Sequence, residues 1–386
     1  MKAALTDLDA FAQERVEAGE RWFGAEADRI ARLCHRAAER FARGGRLIAL
    51  GRSPVARSDA RHVAVEFVHP VIVGKRALPA LALCAEGGPL DAQVALVAEA
   101  GDLVIAFERD DPETAVAWAL ATGRGCLPIA FDPPGDAWVR QELTETAYHV
   151  LWELVHVFFE HRGLLAGRDA GSTHDSGASA FLYPFLAEQE ADLDAVLADV
   201  RASVLAKAAE TGALRVQTLA DNAAALTAAG AALRTSFAAG GRLLAFGNGG
   251  SATDAMDAAA DFHAPLGDAP PRPALDLTED SAILTAIAND IGTEAIFARQ
   301  VIAHGRPGDV LLALSTSGSS ANVIAALAEA RRRRVRTIAM VGYDGGRVAA
   351  EGLADHVIIS RSEHIPRIQE AQATACHALR ELVETP

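Results

Sequence analysis

Three stretches of this chain are written twice, in the same order. Phe41-Ala-Arg-Gly-Gly-Arg-Leu-Ile-Ala-Leu-Gly51 returns as Phe237-Ala-Ala-Gly-Gly-Arg-Leu-Leu-Ala-Phe-Gly247. Gly101-Asp-Leu-Val-Ile-Ala returns as Gly308-Asp-Val-Leu-Leu-Ala, and Gln141-Glu with His149 and Glu153-Leu-Val as Gln369-Glu with His377 and Glu381-Leu-Val. The chain therefore reads as an internal duplication of one α/β domain. Short apolar runs of strand length alternate with helical patterns, which implies a doubly wound parallel sheet flanked by helices in each half, with ligand loops at the carboxyl ends of the strands.

Apolar residues at helical spacing from Asp7 to Arg43 predict a long first helix, followed by a strand over Arg46–Gly51, a turn over Arg52–Arg57 and a helix over Ser58–Val68. Further strands are expected at Ala80–Cys84, Asp102–Phe107 and Pro128–Phe131, and a long helix from Arg140 to His161. Gly163 to Ala180 is rich in Gly, Ser, Ala and Asp without an apolar period and reads as a linker. The expected domains are 1–163 and 185–386, joined by 164–184, with helical patterns resuming near Phe185 and running to Ala239.

A formal net charge of −15 over 386 residues argues against a nucleic-acid partner, because a chain that neutralises phosphates along a strand carries a basic field. The basic run Arg331–Arg334 reads as a solvated complement to a helix C-terminus. Cys34, Cys84, Cys126 and Cys376 are too scattered for a zinc knuckle or a redox pair. With no basic-then-apolar leader and no apolar run of bilayer length, a cytoplasmic protein without a membrane partner is expected.

In the second half two strands run directly into small and hydroxyl residues, Leu244-Ala-Phe-Gly-Asn-Gly-Gly-Ser251 and Leu311-Leu-Ala-Leu-Ser-Thr-Ser-Gly-Ser-Ser320. Each precedes a helical pattern, which is how a sheet offers backbone N–H groups and hydroxyls to an anion. An ordinary N-capped turn has the same composition; four hydroxyls beside a second glycine loop favour a sugar-phosphate cradle. A dinucleotide fold fits less well, since the third glycine position is Ala252.

This half resembles the sugar isomerase (SIS) domain, and within it the phosphoheptose (sedoheptulose-7-phosphate) isomerases. The resemblance rests on Gly247–Met256, Ile283–Asp290, Phe297–Gln300, Arg306–Asp309, Ser315–Ser320 and Arg367–Glu370. It implies two tandem SIS domains and a substrate site formed by Asn248, Gly249, Gly250, Ser251, Asp290, Ser315, Thr316, Ser317, Ser320 and Gln369, with the serines and Thr316 on the phosphate. It also implies a metal set of His and Glu one helical turn apart, completed by Gln and His eight apart on the last helix. Gln369 and His377 match the latter pair, but Asp257 and Asp261 stand at the former positions, one methylene shorter than glutamate.

The first half shows the opposite pattern. His62, Glu66, Gln141 and His149 fill all four metal positions, whereas Arg52-Ser-Pro-Val replaces the glycines and Glu108-Arg-Asp-Asp111 stands where the serine loop is expected, so that carboxylates would repel a phosphate. Without the resemblance, His62 and Glu66 read more simply as a solvated helix pair and Gln141 and His149 as core polar groups. The complementary losses suggest divided labour: the serine loops joined either to the complete first-half set, or to His62 and Glu66 from one half and Gln369 and His377 from the other.

The resemblance implies a phosphosugar aldose–ketose isomerase, converting sedoheptulose 7-phosphate to D-glycero-D-manno-heptose 7-phosphate through an enediol. Glu66 would be the base, His149 or His377 the acid, and a divalent metal, zinc, the electrophile. Pro265 and Pro70 replace the family's basic residue after the glutamate, which bears on substrate length. A homodimer giving four SIS modules is expected. The competing reading is a non-catalytic SIS protein that binds a sugar phosphate or a protein partner as regulator or scaffold.

Overall fold

A computed structural model describes residues 7–71, 75–160, 164–165, 192–265 and 269–384. They form two compact units, one of residues 18–209 and the other of residues 1–17 with 210–386. The expected boundaries at 163 and 185 differ from this division, since the first half of helix Leu193–Asp221 groups with the N-terminal unit and the first turns of helix Leu8–Ala42 with the C-terminal one. Most of the expected linker, and the expected helix start near Phe185, lie outside the described residues.

The N-terminal unit carries a parallel sheet of β1 (Leu47–Gly51), β2 (Ala80–Cys84), β3 (Leu103–Ala106) and β4 (Leu127–Ile129) in the order β2-β1-β3-β4. The C-terminal unit has β5 (Leu243–Phe246), β6 (Ala274–Asp276), β7 (Val310–Ser315), β8 (Arg336–Gly342) and β9 (His356–Ser360) in the order β6-β5-β7-β8-β9. The smaller sheet has a sequence cause. Five residues separate Phe131 from Ala137, too few for a helix and a further strand, whereas Gly346–Ala350 and β9 fit between β8 and the last helix.

Strand side chains alternate between two apolar layers, as a sheet covered on both faces requires. Leu47, Ala49, Leu103 and Ile105 pack on one side with the helices Leu8–Ala42, Pro54–Val68 and Ala137–Glu160. Ile48, Leu50, Val104 and Ala106 face the helices Leu90–Val97 and Pro112–Gly123. The C-terminal unit repeats the division, with Leu243, Ala245 and Leu312 on one side and Leu244, Phe246 and Leu311 on the other. An arginine before the first strand of each unit is anchored in the same way: Asp102 accepts from the Arg46 backbone N–H at 2.9 Å, and Asp309 from that of Arg242 at 3.1 Å. All four cysteines are free and buried. Among the described residues no helix is long and apolar enough to cross a membrane.

The helix expected over Ser58–Val68 begins four residues earlier, at Pro54. Pro54 occupies the first turn, where a missing N–H costs nothing, and the Ser53 hydroxyl accepts from the Ala56 N–H at 3.1 Å. The helical pattern from Leu193 is broken at Asn222, whose side chain bonds Thr218 O and the backbone of Ile359. The helix expected over Arg140–His161 spans Ala137–Glu160.

Candidate functional site

Strands β5 and β7 are neighbours, and their connections leave in opposite directions, to β6 and to β8. The carboxyl ends of such a pair form the crevice where open α/β sheets bind ligands. The glycine loop after β5 and the serine loop after β7 emerge there. Gly247 is required by close approach, because a Cβ would lie 2.1 Å from Ser251 O. Gly249 adopts φ +58 before the helix Gly250–His263, and Ser251 is buried in that helix's first turn.

In the serine loop the buried Ser315 hydroxyl accepts from the Gly318 N–H at 3.1 Å, while Thr316 is half-buried and Ser317 exposed. Gly318, at φ +57, packs so tightly that a Cβ would meet Gly345 O at 2.4 Å. Asn248 and Asn322 join the two loops through paired amide hydrogen bonds of 3.0 and 2.9 Å. A cleft opens beside the loop between Ser317, Ser319, Tyr343 and Arg361. Ser319 and Arg361 escaped the sequence reading, since an arginine far along the chain carries no local signal for this loop. Asp290 lies exposed at the end of Ser281–Asp290, accepting from Asn289.

The helix N-termini of the two units are finished differently. Neither Gly249 nor Ser320 caps its helix with a side chain, so backbone donors and the Ser320 hydroxyl remain for an anion. In the N-terminal unit, Ser53 caps one helix, and Asp111 caps the other through the Thr114 N–H at 2.9 Å. Arg52, at the place of Asn248, pairs with Glu113 at 2.8 Å and Asp111 at 3.3 Å. The positions an anion would take are held by the chain's own groups.

The polar cluster of the N-terminal unit lies between helices Pro54–Val68 and Ala137–Glu160. His62 and His149 are buried, with their Nε2 atoms 3.3 Å apart, and Glu66 Oε1 lies 3.9 Å from His62 Nε2. Burial pushes the Glu66 carboxyl up to about 7, a rise that His149 opposes and Glu153 reinforces. Burial, with the charge of His149 beside it, holds His62 well below the usual histidine value. Tyr148 packs edge-on against His62 and donates to Asp59 at 3.3 Å, and burial raises the Asp59 carboxyl. Gln141 is half-buried, two turns before His149 on the same helix.

One residue here was missed. Donor atoms of His62, Glu145 and His149 all lie within 4.8 Å of one another, and all three side chains are buried. The available signal was the spacing Gln141, Glu145, His149, one helical turn at each step. In the C-terminal unit His377 Nε2 lies 3.6 Å from Asp261 Oδ2, with Gln369 also buried. Among the described residues, His62, Glu145 and His149 form the one group with metal-ligating proximity, so Asp257, Asp261 and His377 do not assemble a second. The short aspartate side chains, held on their helix, account for that difference.

Comparisons with known proteins bear on the fold and the family. Residues 208–342 match the SIS domain family model. A phosphoheptose isomerase of Chlorobium phaeobacteroides is 41% identical over 213 residues, which cover 54% of this chain and 88% of that relative. One from Rhodospirillum rubrum is 44% identical over 167 residues, 43% of this chain and 88% of the relative. The fold of the whole chain matches a tagatose-6-phosphate ketose/aldose isomerase of Escherichia coli (TM-score 0.53, 15% identity, 99% of this chain and 96% of that one). It also matches a putative sugar binding protein of Salmonella typhimurium (TM-score 0.56, 13% identity, 96% and 99%). The fold is thus that of the SIS class, α/β with two parallel sheets. Within that class the chain belongs to the phosphoheptose isomerase family.

Proposed function

We propose that this chain is a phosphosugar aldose–ketose isomerase that converts sedoheptulose 7-phosphate to D-glycero-D-manno-heptose 7-phosphate, and that its two units are copies of one ancestral module. The observation that carries the reading is the pair of helix N-termini without side-chain caps at adjacent strand ends, with Ser251, Ser315, Thr316, Ser317 and Ser320 around them. Backbone N–H groups and hydroxyls at that place suit a phosphate dianion. Phosphoheptose isomerases are the relatives with which it shares 41–44% identity.

Isomerisation moves a proton between adjacent carbons. A base takes the proton from the carbon beside the carbonyl while an acid protonates the carbonyl oxygen to give the enediol. The base then returns its proton to the former carbonyl carbon, and the hydroxyl on the first carbon gives its proton back to the acid group and becomes the new carbonyl. Glu66 is assigned as the base, and its burial raises the carboxyl above the usual glutamate value, which favours uptake of the proton. His149 or His377 is the imidazole assigned to the oxygen protons. Asn248, Gly249, Gly250, Asp290 and Gln369 are assigned to orienting the sugar.

His62, Glu66, Gln141 and His149 are assigned as the set that holds a divalent metal, zinc. The fit rests on two buried imidazoles facing each other and on Glu66 Oε2, a buried oxygen with no hydrogen-bond partner among the described residues. When bound, such an ion supplies a Lewis acid for the developing enediolate. Two chains would associate to give four modules.

Turnover of several ketose phosphates by the full, metal-supplemented chain tests the reading. Glu66→Gln and Ser317→Ala should each lower kcat/KM, the first by at least about a hundredfold. Binding of ketose phosphates without any turnover would replace it with the non-catalytic reading.

A further inference from the structure

The buried cluster of the N-terminal unit contains one carboxylate more than the assigned metal set. Glu145 is 4% exposed and sits one turn after Gln141 and one turn before His149, on the helix face turned toward His62. The corresponding position of the last helix, counted from Gln369 and His377, is Ala373. The extra carboxylate is thus confined to the unit in which the imidazoles converge.

Glu145 is buried with both histidines, and a cation at that place is favoured by a carboxylate in a low-dielectric setting. Glu66 Oε2 has no hydrogen-bond partner among the described residues. A divalent cation there would neutralise the Glu145 carboxylate and accept lone pairs from both imidazoles. Two imidazoles with carboxylate oxygens form a donor set suited to zinc, iron(II) or manganese(II).

We infer that Glu145 is a direct ligand of a divalent cation in the N-terminal unit, held together with His62 and His149, whose donor atoms and its own all lie within 4.8 Å of one another. The inference rests on the metal reading above and adds a ligand to it. Because a carboxylate attracts a dication more strongly than a neutral amide does, binding depends more on Glu145 than on Gln141.

Cobalt(II) titrated into the full, chelator-stripped chain tests this, because its visible d–d bands report ligand number and type whether or not the protein turns over substrate. Glu145→Gln keeps the shape of the side chain and removes its charge, and Glu145→Ala installs the residue that the other unit carries. Both should weaken cobalt binding by at least about tenfold and shift the bands, since even changes behind a ligand cost that much. Gln141→Ala should weaken it less. Circular dichroism of the metal-free proteins checks that each variant is folded, and the isosteric and alanine variants back each other. Unchanged affinity and bands in both Glu145 variants, with binding lost in His62→Ala, would overturn Glu145 as a ligand and leave the metal reading standing. Equal binding by wild type and His62→Ala, or none by wild type, would overturn both.

Discussion

Asn248 and Asn322 exchange two amide hydrogen bonds, 3.0 and 2.9 Å long, between the glycine loop and the start of the helix behind the serine loop. Arg52 and Glu113 make the same link in the other unit as an ion pair of 2.8 Å. The neutral pair leaves both helix N-termini free of side-chain caps, whereas in the N-terminal unit Ser53 and Asp111 have capped theirs.

Hydrogen exchange in the presence of a ketose phosphate should therefore slow at 247–251 and 315–320 and stay unchanged at 51–54 and 108–113. Protection of the second pair of segments would show that the carboxylate-bearing loop also binds the anion.

The cluster at His62 and His149 should couple to stability. A cation that binds the folded chain stabilises it by about 2.7 kcal/mol at a hundred times its dissociation constant. Addition of a chelator should lower the thermal midpoint of wild type and leave that of His149→Ala unmoved.

Asp102 accepts from the Arg46 backbone and guanidinium and from the Glu99 N–H, and these bonds hold its carboxyl below the usual aspartate value against the opposing effect of burial. The stability from this depressed group is fully present above the unfolded pKa of about 3.9 and is lost as pH falls through the lower folded value. Asp102→Asn should cost about 1–3 kcal/mol at pH 7 by urea denaturation, and the gap from wild type should narrow as the medium is acidified toward that range.

Gly51 and Gly247 permit the same tight exit from the first strand of each unit. A Cβ at Gly51 would lie 1.9 Å from Ala56 O, and one at Gly247 2.1 Å from Ser251 O. Both alanine variants should lose at least about 1–3 kcal/mol of stability. Gly247→Ala should in addition raise KM, which sets a ligand loop apart from a closed one.

Light scattering of the full chain should give the mass of two chains. A single-chain mass at working concentration would exclude the four-module assembly.

Much of this was legible in the residues. Unbroken apolar runs at Leu47–Leu50 and Leu243–Phe246 specify strands buried on both faces, and a glycine at the end of each specifies the turn, because these are local demands of pleat and backbone. The exchange of glycines for Arg52-Ser-Pro and of serines for Glu108-Arg-Asp-Asp marked the two loops apart through composition alone. The helix start at Pro54 was misplaced because Ser53 and Pro54 also suit a turn, and the cap is decided by which N–H the hydroxyl reaches. Glu145 was passed over because a glutamate within a helix is ordinarily a solvated residue. Its position on the helix was set by sequence periodicity. That this face meets His62 across the gap between two helices, 83 positions apart in the chain, was set by packing of both helices on the sheet, and burial there turned an ordinary carboxylate into a candidate ligand.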